Sequence, residues 1–555
     1  MHYRHYHADL STHKVLNQAP PLGDVNLYEL DVPLKEAIQR EGAGWSSQHL
    51  SDFGAKLGSV AVRELGGQAN KYPPELRRYD RYGHRIDVVD FHPSYHQMFS
   101  LAKRYGVHSK SWTSVKEGGG HVVHSALEYL LGQVESGVCC PITMTSAAVP
   151  VLRRDPELAE EWVPKMLNEH YDPEHLPHTE KKGLTVGMAM TEKQGGSDLR
   201  ANQTRAEKEM DGSYRLTGHK WFCSAPMSDA FLTLAQTDKG LTCFFVPRFL
   251  PDGKKNRLHI ERLKDKLGNR SNASSEIEYV QTWAKRLGAE GRGVATIIDM
   301  VHHTRLDCAL AAVGLMRQSL TQALHHTRHR KTFGQYLVDQ PLMKNVLADL
   351  IVEYEAALMM GFRIARAYDE AQSSEEQAIF ARLSVAVGKY WSNKRCSMFV
   401  NEAMECLGGA GYVEESMMPR LYREAPLNGI WEGSGNVICL DVLRTFHREP
   451  NAAQIFLAIL DEKKGCDPRY DKALERTKEL FLNTGDAVFL ARKRVEQLAL
   501  LFQGALLLGD GHPVVTDLFL ETRLDFGGGC AFGTLPTTTG IDDLLSRHLW
   551  NEQTT

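Results

Sequence analysis

The chain has 555 residues, enough for three or four domains, and its 42% hydrophobic and 24% charged residues are the balance of an ordinary globular protein. A formal net charge of −4 excludes a protein that holds polyanions by overall charge, though not one with a local basic patch. No run approaches the roughly 18 apolar residues of a membrane span, and the greasiest stretch, LALLFQGALLLG at 498–509, is short and holds a Gln.

The N-terminal MHYRHYHADLSTHK lacks the apolar centre of a signal peptide, and Asp9 argues against a transit peptide, so a cytoplasmic protein is expected. Residues 30–180 read as helices: LKEAIQREGAG, HPSYHQMFSLAKRYG and HVVHSALEYLLGQVESG carry apolar residues at three-to-four spacing and end near glycines. From about 184 to 290 the segments LTVGMAM, SYRLTGHKWFCS, FLTLAQT, LTCFFVPRF and SSEIEYV are short, rich in β-branched and aromatic residues, and split by turns, which predicts a β-domain. Helical periodicity returns at about 291 and runs to about 448, and a further helical segment, with KALERTKELFL and DAVFLARKRVEQLALLFQGALLLG, fills the rest. The expected domains are therefore 1–183, helical; 184–290, β; 291–448, a helical bundle; and 449–555, a helical extension.

Ten cysteines form no C-x-x-C pair and read as buried free thiols. The 24 histidines include His302, His303, His325, His326 and His329, but none stands in a metal-binding frame. They read as polar helix faces, and no metal site is expected.

Three stretches carry chemistry. MAMTEKQGGSD (188–198) ends a strand in a loop of hydroxyls and small residues, suited either to a polar ring or phosphate or to a plain surface turn. GHKWFCS (218–224) sets aromatic residues just before the Ser224 hydroxyl, either a seat for a flat heterocycle or a half-buried strand. IWEGSGN (430–436) presses Glu432 between a Trp and a Gly-Ser-Gly turn. Glu432 reads either as a first-turn acid favoured by the helix dipole or as a base held against something that the glycines let come close.

These stretches, with RKTFG at 330–334 and LGGAGY at 407–412, come in an order and spacing that resemble the acyl-CoA dehydrogenase flavoprotein family. TEKQGGSD, ITMTSAAVP at 142–150, RLKDKLGNRSNAS at 262–274 and PRLYRE followed by IWEGSGN are similar to its AidB-type, alkylation-response branch. The resemblance implies a mostly α, α+β fold: an N-terminal helical domain, a central β-barrel or sandwich, a C-terminal helical bundle and the extra helical extension. It implies FAD, with Met188, Met190, Thr191, Gly196, Ser197, Phe222, Cys223, Ser224, Ile430, Trp431, Gly433, Ser434, Gly435 and Asn436 around it. Ser197 and Arg305 would meet an acyl-CoA thioester. Arg330, Phe333, Gly408 and Gly409 belong to segments that contact the dinucleotide. Arg330 and Phe333 would reach a neighbouring subunit's FAD, so a homotetramer is implied.

Glu432 matches the family's catalytic base, which would take the α-proton while a hydride leaves the β-carbon for flavin N5. The alternative base position, before Arg305, is Thr304. Departures from the family pattern are Lys193, Gly195, Phe222, Glu405 and the Gln340–Pro341 pair. The branch is also associated with double-stranded DNA, which makes a DNA-binding alkylation-response flavoprotein, or an acyl-CoA sensor, the alternative function. From Thr445 to the end there are 12 Lys+Arg against 16 Asp+Glu, the wrong balance for a basic DNA-binding domain. The DNA candidates are Arg444, Arg448, Arg492, Lys493 and Arg494.

Overall fold

The computed structural model describes residues 12–482 and 487–550. Most of the N-terminal segment read above for targeting, including Asp9, lies outside them. The element order is helices, a seven-stranded sheet, then helices to the end.

The first part departs from an all-helical expectation. Helices Val32–Arg40, Ser47–Gly58, Val60–Lys71 and Pro93–Arg104 form, but an antiparallel hairpin, Glu75–Tyr79 with Arg85–Asp90, stands between the last two. Its first strand alternates exposed and half-buried residues, and Asp80 nucleates the turn by accepting from the Tyr82 and His84 N–H groups. The hairpin ties to the sheet edge: Arg78 pairs with Glu261, and Arg85 donates to Glu261 and to the Ile260 carbonyl.

The sheet closes on itself. Ala230–Thr237 pairs in parallel with Val186–Ala189 and antiparallel with Gly240–Pro247. Gly240–Pro247 pairs with Ser274–Leu287, which pairs with Tyr214–Ser224, which pairs with Arg205–Lys208, which returns to Gln236. Leu258–Leu263 adds to Ser274–Leu287 from outside this circuit. Inward residues such as Phe231, Phe244, Ile277 and Tyr279 fill the barrel.

Three long helices, Gly293–His329, Pro341–Glu370 and Glu375–Glu405, form the bundle. The extension does not stand apart from it. Trp391 Nε1 donates to Gln503 in the Ala491–Asp510 helix at 3.1 Å. Arg523 donates to Asp349 at 2.5 Å and pairs with Glu353 at 3.3 Å. His548 and Arg547 bond Glu355 at 2.8 and 3.1 Å. Deeper in, Tyr354 donates to Asp31, and Arg317 joins the Leu30 carbonyl to His548. No helix among the described residues is long and apolar enough to cross a membrane.

Eight of the ten cysteines are buried free thiols as expected, while Cys466 and Cys530 are exposed. The histidine reading needs correction: His325 is buried, and His303 packs among Trp112, His121 and Tyr368. They are packing residues rather than a solvated face.

Candidate active site

Where the barrel meets the bundle there is a cavity of about 630 Å³, within the range of small-molecule sites. One wall comes from the barrel: Met188, Met190, Thr191, Gly196, Ser197, Phe222 and Ser224. A second set of lining residues comes from Ile430–Ser434 and from the Gly293–His329 helix, through Val301, Thr304 and Arg305. The motifs that are separate in the chain thus face one space.

The TEKQGGSD loop is held by its glutamate. Glu192 is fully buried and accepts from Lys220 Nζ at 2.7 Å, from Thr204 Oγ1 at 2.6 Å and from the Gln203 and Thr204 N–H groups. Lys220, fully buried too, also donates to the Leu234 carbonyl. The Trp221 N–H reaches the Thr191 carbonyl at 2.7 Å, so the two barrel motifs are stitched edge to edge. Gly196 is required there: a Cβ would lie 2.4 Å from Thr191 Oγ1.

Glu432 sits at a backbone φ of +56°, a left-handed conformation uncommon for a residue with a side chain. Three groups hold it. Lys389 Nζ donates to the Trp431 and Gly433 carbonyls at 2.7 and 2.5 Å, bracketing the residue on both sides. Arg305 Nε donates to the Glu432 carbonyl at 3.1 Å and its Nη1 to Asp441 at 2.9 Å. Trp431 Nε1 is fixed on Asn428 at 2.8 Å. The carboxylate itself meets Thr304 Oγ1 at 2.9 Å. Burial raises its pKa, against the lowering effects of the Thr304 hydroxyl, Lys389 and Arg305. Thr304 Oγ1 also lies 3.0 Å from the Val301 carbonyl. With its single proton the hydroxyl can donate to Val301 and accept from a protonated Glu432, or donate to an ionised one.

Beside Ser224 runs a second polar chain: Ser224 Oγ contacts Ser274 Oγ at 3.3 Å, and Lys266 Nζ reaches Ser274 Oγ at 2.9 Å and the Asn272 carbonyl at 2.5 Å. Burial pulls the Lys266 pKa down to about 8.

Several expected residues lie elsewhere. Cys223 points into the barrel core, on the opposite side of its strand from Phe222 and Ser224. Gly435 is buried against Lys394 and Tyr390 at the start of the Gly435–Arg448 helix, and Asn436 faces outward to accept from Arg492 at 2.7 Å. Arg305 lines the cavity, but its guanidinium is committed to the Glu432 loop and Asp441, which makes it a brace. Arg330, Phe333, Gly408 and Gly409 are away from the cavity of this chain; Phe333 is 99% exposed, and Arg330 donates to the Asn17 carbonyl. Among the DNA candidates, Arg444, Arg448, Arg492 and Lys493 are exposed, with Arg444 at the cavity mouth. Arg494 is buried over the Phe481 ring and is not available to a phosphate.

Sequence reasoning missed Lys389, the role of Thr304, and a buried trio, His124, Glu128 and Asp307, whose ligating atoms lie within 4.8 Å of one another and of which Glu128 and Asp307 line the cavity. A His and a Glu one turn apart in a helix otherwise buried and largely apolar, Gly120–Gly132, was the available signal.

The barrel wall suits a flat heterocycle. Phe222 stays 49% exposed and Ile430 63% exposed at the cavity, apolar surface that a ring system would cover, while Thr191, Ser197 and Ser224 present hydroxyls to its edge. Barrel, bundle and a braced carboxylate facing that wall define the acyl-CoA dehydrogenase class of FAD-dependent oxidoreductases. Three family models match in order: the adaptive response protein AidB N-terminal domain at 17–173, the acyl-CoA dehydrogenase middle domain at 187–282 and its C-terminal domain at 291–447. The chain belongs to the acyl-CoA dehydrogenase family, in its AidB branch. It is 46% identical to the putative acyl-CoA dehydrogenase AidB of Escherichia coli over 93% of this chain and 95% of that protein. It is 31% identical to acyl-CoA dehydrogenase family member 11 of Caenorhabditis elegans, covering 83% of this chain and 79% of that one. The solved structure of Caenorhabditis elegans ACDH-11 in complex with C11-CoA superposes with a TM-score of 0.83 at 28% identity, covering 94% of both chains.

Proposed function

We propose that the protein oxidises an acyl-CoA thioester at its α and β carbons, with Glu432 as the base. The observation that carries this is the Glu432 carboxylate, braced through its own carbonyl and both neighbouring carbonyls and lining the same cavity as Ser224 and Phe222. FAD, when bound along the barrel wall, supplies the acceptor for the β-hydride.

The remaining chemistry belongs to the chain. An α-proton beside a thioester carbonyl is weakly acidic, and a carboxylate with a raised pKa is matched to remove it. Thr304 keeps a hydrogen bond to Glu432 before and after the proton arrives, by turning its hydroxyl between Val301 and the carboxyl. The Glu432 N–H donates to no group among the described residues and is the donor we assign to the thioester carbonyl, where it stabilises developing negative charge. Trp431 and the apolar wall exclude water. Arg444 at the cavity mouth offers a cation to the phosphates of CoA. The C11-CoA in the ACDH-11 structure supports a thioester in the equivalent space.

The test is anaerobic titration of the purified protein with a panel of acyl-CoAs, followed by flavin absorbance. Bleaching by at least one of them supports the reading; a fully flavin-loaded protein that none of them bleaches overturns it. The bare Phe333 side chain supports an oligomer, a tetramer by family likeness, in which the RKTFG segment at 330–334 completes a neighbour's site. A cytoplasmic location and the four-part division drawn from the sequence stand as further parts of the proposal. A second reading, duplex binding without turnover, draws on the exposed Arg444 and Arg448 on one helix, with Arg492 and Lys493 on the extension.

A further inference from the structure

The cavity does not stop at Glu432. Along the Gly293–His329 helix its lining continues through Asp307, Cys308, Ala311 and Leu315, so Asp307 stands one turn past Thr304, about 4.5 Å along the axis. The wall facing it comes from two more helices, with Glu128 from Gly120–Gly132 and Cys139 and Thr143 from Cys139–Leu152. A wall made only for hydrocarbon would be apolar. This one carries two carboxyl groups that are 1% and 5% exposed, Glu128 and Asp307.

Their partners fix their charges. His124 Nδ1 lies 2.6 Å from the Val107 carbonyl and Nε2 lies 3.0 Å from Asp307 Oδ1. A carbonyl only accepts, so Nδ1 carries a proton; Nε2 facing the carboxylate carries the other. Burial works against that charge, but Asp307 lifts the His124 pKa to about 9. The imidazolium and Asp307 therefore cancel one another. Glu128 is left with the Thr143 hydroxyl, which donates to its Oε1 at 3.2 Å, and with the Cys139 thiol. Burial, with Asp307 beside it, pushes the Glu128 pKa up to about 8. Burial beside a second carboxyl favours the protonated form of Glu128, a carboxylic acid that offers both a donor and an acceptor at the cavity wall. Against a methylene chain those groups would be desolvated and unpaired, at a cost of about 1–3 kcal/mol.

We propose that Glu128, with Thr143 beside it, recognises an uncharged hydroxyl carried by the acyl chain beyond its β-carbon, so that the preferred thioester is a hydroxyacyl group rather than a plain fatty acyl group. This rests on the acyl-CoA reading of the site. A hydroxyl accepts from the Glu128 O–H and donates to an oxygen of Glu128 or Thr143, satisfying both sides. A carboxylate-ended chain would be buried there with no cation to meet it, since His124 is already paired with Asp307, and an ammonium would require Glu128 to ionise. A cation held by the trio is disfavoured by His124, whose two nitrogens both carry protons and offer no lone pair.

The experiment uses the FAD-loaded full chain under anaerobic conditions. Plain acyl-CoAs are compared with hydroxyacyl-CoAs of matched length in which the hydroxyl moves outward carbon by carbon. Binding is read by calorimetry and reduction by flavin absorbance. At one hydroxyl position the hydroxyacyl-CoA should bind and reduce at least ~10-fold better than its plain counterpart, the worth of one well-made hydrogen bond. Glu128→Leu should bring that ratio close to one, and Thr143→Val, the milder change should the first misfold, should lower it several-fold. A plain chain that equals or beats every hydroxyacyl-CoA overturns the proposal. So does a preference for carboxylate-ended or ammonium-ended chains, or a ratio that neither variant changes. If no CoA thioester binds, the acyl-CoA reading falls and takes this with it; tight plain acyl-CoA binding with no hydroxyl preference sinks this inference alone.

Discussion

Replacing Glu432 with Gln separates a base from a structural acid. The loop should survive the change, because Lys389 and Arg305 hold backbone carbonyls rather than the carboxylate. A Gln oxygen still accepts from Thr304 Oγ1, which lies 2.9 Å from the native carboxylate. What disappears is a charge that burial already disfavours. The folded pKa is raised, so the carboxyl's contribution to stability is full below the unfolded pKa and is lost as pH rises through the folded one. Above that folded pKa the wild type has lost it, and the Gln variant, which cannot ionise, should unfold at the same urea concentration or slightly higher, within ~1 kcal/mol. The rate is another matter. A positioned general base contributes about 10²–10⁴-fold, or about 2.7–5.4 kcal/mol of barrier. Glu432→Gln should therefore keep FAD and its stability while single-turnover flavin reduction by acyl-CoA falls by at least ~100-fold. Reduction within about threefold of wild type would refute the base assignment, and loss of FAD together with activity would make Glu432 a residue of the fold rather than of the chemistry.

Thr304→Val removes the largest effect that lowers the Glu432 pKa; the acid limb of the reduction rate should move to higher pH, and a pH–rate profile that stays in place would argue against the hydroxyl's role. Lys220→Ala leaves Glu192 buried without its cation, which should cost about 3–5 kcal/mol in urea unfolding and weaken FAD retention through the TEKQGGSD loop. For duplex binding, Arg444→Ala with Arg448→Ala should weaken affinity uniformly across sequences and flatten its salt dependence by about one log unit per lost phosphate contact; Arg494→Ala should act on stability instead, because that side chain is buried.

What could be read from the chain alone was what is local. TEKQGGSD, KWFCS and IWEGSGN each hold their ligand-facing groups within a few residues, and the structure brings Thr191, Ser224 and Glu432 to one cavity. The supports were not legible, because they are distant in sequence. Lys389 reads as one more charge on a long helix until it is seen to bracket Glu432 from 43 residues upstream. Glu128 and Asp307 look like ordinary helix acids; Glu128 stands one turn from His124 on its own helix, but only the packing of a second helix sets Asp307 beside them, 183 residues from His124. Cys223 was placed with its neighbours, but strand alternation turns it to the other face. The hairpin at 75–90 escaped because its first strand, ELRRY, is mostly charged and its anchors are distant in sequence: Glu261 takes Arg78 and Arg85, and Leu76 and Val89 pack against the barrel core.

The way the C-terminal extension is joined has a bearing on biosynthesis. Glu353 and Glu355 are buried on one bundle helix, and part of their compensation comes from Arg523, Arg547 and His548. While the ribosome is still translating the last stretch, the nascent bundle holds Glu353 with only Arg395 beside it and Glu355 without Arg547 and His548. The bundle that carries the Glu432 loop therefore completes its interior only after release of nearly the whole polypeptide. A gene shortened to the barrel and bundle would encode buried uncompensated charge, and its product should collect with chaperones rather than with flavin.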